Sequence, residues 1–175
     1  MNTYLISVLV ANHPGVLQRI AGLFSRRGYN IDSLSVCETH EKELSRMTIV
    51  VRGDTYILNQ IIRQLEKLED VKQVLHLDMH KTIFHELLMI KIEATPQDRA
   101  EIIQAADVYR ANVIDLAANS VILEITGDPS TINAFLALIN KYRVLEMVRT
   151  GLTALERGNK TIKDYMEIEE ENNNG

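Results

Sequence analysis

The stretch Asn12-His13-Pro14-Gly15-Val16-Leu17 separates two different periodicities. Before it, Tyr4 to Val10 is apolar and β-branched, as a strand would be. After it, Val16, Leu17, Ile20, Ala21, Leu23 and Phe24 recur at helical spacing and predict one apolar face. Pro14 suits a first helical position, where its fixed φ is favourable and its missing N–H is no loss. Asn12 is a candidate cap for that helix. Arg26 and Arg27 fall in the last turn, where cations suit the helix dipole, and Gly28 supplies a left-handed stop before Tyr29-Asn30-Ile31. The segment therefore reads strand, tight turn, helix, tight turn, strand. Free backbone N–H groups at the helix start are ready to meet an anion such as a carboxylate, although most helix ends meet only water or their own cap.

Working outward, Tyr29 to Val36 is a second strand, and Ser45 to Arg52 is a third. The polar run Glu38 to Glu43 between them predicts a hairpin with a hydrophilic, mobile tip. Gly53-Asp54 opens a helix, with Asp54 as N-cap and Ile57, Leu58, Ile61, Ile62, Leu65 and Leu68 on its apolar face. Glu66, Glu69 and Asp70 read as a solvated helix end and turn, and Val71 to Leu77 as a fourth strand. This order, β-α-β-β-α-β, is that of the ferredoxin-like unit.

The order then repeats. Ile83 to Ala94 is strand-like, though Phe84 to Glu86 interrupts the alternation. Pro96 to Tyr109 is helical, Asn112 to Ala117 and Val121 to Thr126 are strands, and Asp128-Pro129 opens a helix lined by Ile132, Phe135, Leu136 and Ile139. Val144 to Arg149 is the last strand. The pairs Gly53-Asp54 and Gly127-Asp128 stand at equivalent points, as do Asn30 and Asn112, so an internal repeat with one shortened hairpin accounts for the chain. The expected class is α+β, with two ferredoxin-like domains at residues 1–78 and 83–158, a linker at 79–82, and an acidic, asparagine-rich, disordered tail at 159–175. The second half starts its first helix at Thr95-Pro96-Gln97-Asp98, without a glycine to admit a ligand.

Composition bounds the function. The chain has 175 residues, 46% hydrophobic and 25% charged, with a formal charge of −5, which argues against a nucleic-acid footprint spread over its surface. A single cysteine, Cys37, allows no intrachain disulfide and fits a reducing compartment. In a strand-like run it is expected to be a small buried apolar residue. There is no basic leader and no membrane-length apolar stretch, so a soluble, cytoplasmic protein is expected.

No catalytic constellation emerges: the chain has no phosphate-binding loop with lysine, no dinucleotide fingerprint and no Cys-x-x-Cys. His76, His80 and His85, with Asp78 among them, form the one cluster resembling metal ligands, and read more simply as polar positions around a strand end and a linker. Asp32 and Arg46 are placed to pair across the hairpin. Exposed edge strands of a ferredoxin-like sheet are commonly managed by pairing, which here predicts a homodimer with two Asn12–Leu17 turns near a shared interface.

Ser7 to Leu17, Arg19-Ile20, Gly22 to Leu34 and Leu44 to Ile49 closely resemble the small, regulatory subunit family of acetolactate synthase (acetohydroxyacid synthase). The Gly28-Tyr29-Asn30-Ile31 and Leu44-Ser45-Arg46-Met47-Thr48 stretches are specific to it, whereas Asn-x-Pro-Gly-Val-Leu is shared by ACT domains generally. The resemblance implies an N-terminal ACT domain, a C-terminal ACT-like domain, and side-by-side pairing of twin ACT domains. It implies that a feedback amino acid, valine above all, binds at their interface on Asn12, Gly15, Val16 and Leu17 of one subunit, with Asn30 and Ile31 from the other. It also implies activation of a separate catalytic subunit carrying thiamine diphosphate, Mg²⁺ and FAD, for none of which this chain shows a site. Other readings are a free-standing ACT-domain sensor acting on a different partner, or a small enzyme using His76, His80 or His85.

Overall fold

A computed structural model describes residues 2–166. The chain divides into two compact units: residues up to Ile83 with the described residues from Leu152 onward, and Phe84–Gly151.

In the first unit, β1 (Asn2–Ala11), α1 (Val16–Arg27), β2 (Ile31–Glu38), β3 (Leu44–Gly53), α2 (Thr55–Leu65) and β4 (Val71–Leu77) follow the expected order. The strands form one antiparallel sheet in the order β2-β3-β1-β4. Ile6, Val8 and Val10 of β1 and Met47, Ile49 and Val51 of β3 point to one face, where Val16, Ile20, Leu23 and Phe24 of α1 and Leu58, Ile61 and Leu65 of α2 complete a core. Leu17 and Ala21, expected on that apolar face, are exposed, because the buried stripe of α1 is narrower than its apolar one.

Leu5 to Val10 is buried without alternation, so both faces of β1 are covered. The second cover is the C-terminal segment. Leu152 bonds β2 twice through its backbone, accepting from Ser35 Oγ at 2.6 Å and donating to Ser33 Oγ at 3.2 Å. Further on, β9 (Thr153–Glu156) is followed by a helical turn at residues 162–166, and Ala154 and Ile162 are buried. The described residues from Leu152 onward cluster with the first unit. Residues 159–166, expected to be disordered, are placed: Lys163 pairs with Glu41 and the Tyr165 hydroxyl donates to Glu156 at 2.9 Å. The remainder of the expected tail, 167–175, lies outside the described residues.

The second unit repeats the plan with β5 (Thr82–Glu93), α3 (Arg99–Tyr109), β6 (Asn112–Leu116), β7 (Ser120–Gly127), α4 (Pro129–Ile139) and β8 (Val144–Arg149). Its strand order, β6-β7-β5-β8, matches the first sheet position for position. The interruption at Phe84 to Glu86 is a part-buried ion pair: buried Glu86 meets Arg149, which also donates to Asn133 Oδ1 at 3.0 Å. α3 begins at Arg99, three residues later than expected, because the Asp98 carboxylate accepts from the Thr95 backbone at 3.0 Å and closes a turn ahead of the helix. Asp128 caps α4 as expected, accepting from the Ser130 and Thr131 backbone N–H groups. Asp54 does the same for α2 through Ile57 N–H at 2.8 Å.

Candidate functional site

The turn between β1 and α1 is built differently from its first reading. Gly15, not Asn12, is the N-cap of α1: its backbone is left-handed (φ 93°), and no side chain caps the helix. Pro14 therefore precedes the cap instead of opening the helix. The left-handed conformation explains the glycine, since an L side chain there would be strained even though a Cβ would meet nothing within 4 Å.

Asn12 is occupied by the β2–β3 hairpin. Its Nδ2 donates to Glu38 Oε2 at 3.1 Å and to the Lys42 carbonyl at 2.7 Å, and its Oδ1 accepts from Ser45 Oγ at 3.0 Å. Its backbone N–H donates to the Glu43 carbonyl at 2.7 Å. The hairpin tip expected to be mobile is fastened by Asn12 on one side and by Lys163, on Glu41, on the other. Lys163 holds the Glu41 carboxyl below its ordinary pKa.

Asp70, read from sequence as a solvated turn residue, anchors the turn from the other side. Its carboxylate is largely shielded, meets the Arg19 guanidinium, and lies 2.9 Å from His13 Nε2. Its carbonyl accepts from Ala11 N–H at 2.8 Å. His13, Arg19 and Asp70 were missed; the signal available was an acid just before β4, the strand that pairs with β1 and begins beside the turn. The result is an uncapped helix N-terminus whose approach is fixed on two sides, with a half-exposed Arg19 next to it.

The remaining predicted site residues separate into groups. Val16 is buried in the core, so only its backbone faces the turn, while Gly15 and Leu17 are exposed. Asn30 and Ile31 lie beyond the far end of α1, whose 12 residues span ~18 Å. One chain therefore does not bring Asn30 and Ile31 to the Gly15 turn. Asn30 is exposed and donates Nδ2 to Asp32 Oδ1 at 2.9 Å. Asp32 pairs with Arg52 at 2.6 Å, not with Arg46. The register explains this: residues 31 and 33 of β2 oppose Val51 and Val50, whereas Arg46 opposes Cys37. Cys37 is exposed, because β2 is an edge strand.

Among the described residues no group of three or more His, Cys, Asp or Glu side chains is placed to hold a metal. His76 packs edge-on against Tyr4, ring centroids 5.5 Å apart, and burial lowers its pKa. Among those residues no helix is long and apolar enough to cross a membrane.

A family model described as the AHAS small subunit-like ACT domain matches residues 6–73, the unit that carries this turn. One described as the small subunit of acetolactate synthase matches residues 85–158. The chain belongs to the acetolactate synthase small-subunit family. It is 44% identical to the probable acetolactate synthase small subunit of Methanothermobacter thermautotrophicus, over 92% of this chain and 96% of that protein. It is 41% identical to the acetolactate synthase small subunit of Mycobacterium bovis, over 91% of this chain and 95% of that one. Its fold matches the crystal structure of the Thermotoga maritima acetolactate synthase small subunit with a TM-score of 0.86, at 38% identity, covering 91% of this chain and all of that one. The ACT-type ferredoxin-like fold of both halves is thereby established.

Proposed function

We propose that this small subunit binds a branched-chain amino acid, with valine as the first candidate, at a site shared by two ACT domains. On this reading it raises the activity of the catalytic large subunit and makes that subunit responsive to the amino acid. The observation that carries the reading is the uncapped, left-handed Gly15 start of α1. Its backbone N–H groups, at the positive end of the helix dipole and beside Arg19, suit a ligand carboxylate. The amide oxygen of the exposed Asn30 suits the ammonium group, its nitrogen being held by Asp32. Leu17, 44% exposed, offers apolar contact to a branched side chain.

The ~18 Å between the two ends of α1 is why the site requires two chains: Gly15 to Leu17 come from one protomer, Asn30 and Ile31 from its partner. A ligand bridging them couples its own binding to assembly. Thiamine diphosphate, Mg²⁺ and FAD belong in this scheme to the large subunit, in the cytoplasm, and this chain performs no catalysis. Family membership favours this scheme over a free-standing sensor.

Calorimetric titration of the full chain with valine, leucine and isoleucine tests the site. Saturable binding that is lost in Gly15→Asp supports it. No binding, either alone or in the reconstituted complex with the large subunit, overturns it.

A further inference from the structure

The face of the first sheet turned away from its helices carries a second opening. Between that face and the C-terminal segment lies a groove of ≈690 Å³, within the range of small-molecule sites and formed entirely by residues of the first unit. Leu9, Arg46 and Cys37 are direct cross-strand partners and so form one row across its floor. Leu44, Leu75 and Leu155 supply accessible apolar wall.

Arg46 is the anomaly in this lining. Its Nε is shielded from solvent and has no hydrogen-bond partner among the described residues. The acids around the groove are engaged elsewhere: Glu41 with Lys163, Glu38 with Asn12, and Glu156 with the Tyr165 hydroxyl. A part-buried guanidinium without a carboxylate is unusual, because such groups are normally paired when they leave water. Desolvation lowers its pKa, as expected for a charge lacking a counter-ion.

We propose that this groove is a binding site for a small aliphatic monocarboxylate, its carboxylate on Arg46 and its hydrocarbon along Leu44, Leu75 and Leu155. The planar guanidinium matches a carboxylate in geometry as well as charge. The carboxylates in its lining, Glu38, Glu41 and Glu156, would repel a highly charged anion such as a polyphosphate. This site is separate from the Gly15 turn, since its floor is the opposite face of the sheet from α1.

Cys37, the sole cysteine and a lining residue beside Arg46, is a built-in reporter. The test measures the rate at which neutral iodoacetamide alkylates Cys37 in the full chain, in the presence of butanoate, hexanoate or octanoate and of the matching alcohols. Saturable protection by the acids but not by the alcohols is expected. Arg46→Gln should weaken it by about tenfold or more, Arg46→Lys should retain most of it, and Gly15→Asp should leave it unchanged. Circular dichroism verifies that each variant is folded. Absence of protection, equal protection by acid and alcohol, or unaltered protection in folded Arg46→Gln overturns the proposal. The acid–alcohol comparison in the unmodified chain decides the matter even if Arg46→Gln fails to fold.

Discussion

Gly15→Asp probes the ligand site with two effects that separate cleanly. The first is conformational. Gly15 has φ 93°, so any L side chain costs about 1–2 kcal/mol there, although nothing lies within 4 Å to clash with it. This strain is common to Gly15→Ala and Gly15→Asp, and it should lower Tm by a few degrees in both without unfolding the chain. The second effect is electrostatic and belongs to Gly15→Asp alone. A carboxylate at the helix start would stand about 4 Å from the ligand's own, and two like charges at that distance repel by about 4 kcal/mol at an effective dielectric constant of about 20. That corresponds to a loss of valine affinity of nearly a thousandfold, against about tenfold or less for Gly15→Ala. Calorimetry measures the affinities and thermal denaturation the shared strain. Equal losses in the two variants would show that backbone strain, not charge, explains the effect. Retained affinity in well-folded Gly15→Asp would refute the placement of the carboxylate altogether.

Three other perturbations test separate parts of the account. Asp70→Ala strips Arg19 and His13 of their shared partner, and should destabilise the first unit by about 1–3 kcal/mol in urea denaturation while weakening valine binding; full stability would deny Asp70 its anchoring role. Asn30→Ala removes the side-chain amide and should weaken valine binding by about tenfold, and unchanged affinity would remove Asn30 from the site. Asp128→Ala removes the α4 cap at a cost of about 1 kcal/mol. The Ser130 hydroxyl first, then Thr131, hold the Asp128 carboxyl well below its usual range. Its contribution is therefore present at neutral pH and fades as pH falls below about 4 toward the depressed folded value, so the stability gap between the two proteins should narrow there; a gap constant down to strongly acidic pH would contradict the capping role.

The elements were legible where local chemistry decides them. Helical spacing in α1 and α2, the Gly28 stop and the Asp54 and Asp128 caps depend on neighbours a few residues away. The duplication was legible because the two Gly-Asp pairs punctuate both halves alike. What escaped depends on distant partners. Asn12 resembles a cap, but three side-chain bonds and one backbone bond to the hairpin claim it first. Asp70 resembles a surface turn residue until β4 is laid beside β1 and brings it to His13 and Arg19. Arg46 misses Asp32 because the antiparallel register places Cys37 opposite it. The polar C-terminal segment gave little sign that Leu152, Ala154 and Ile162 would cover a sheet face. The one hint was in β1 itself, where Leu5 and Leu9 are as apolar as Ile6, Val8 and Val10. A strand apolar on both sides requires two covers.

The central claim is that this chain controls a catalytic partner in response to a branched-chain amino acid. Its most direct test is the rate of acetolactate formation by the purified large subunit, measured with increasing amounts of this chain and then with valine. The rate is expected to rise until the chain saturates the large subunit, and valine to lower it only when the chain is present. A rate unaffected by the chain, or valine inhibition of equal strength without it, would contradict the account.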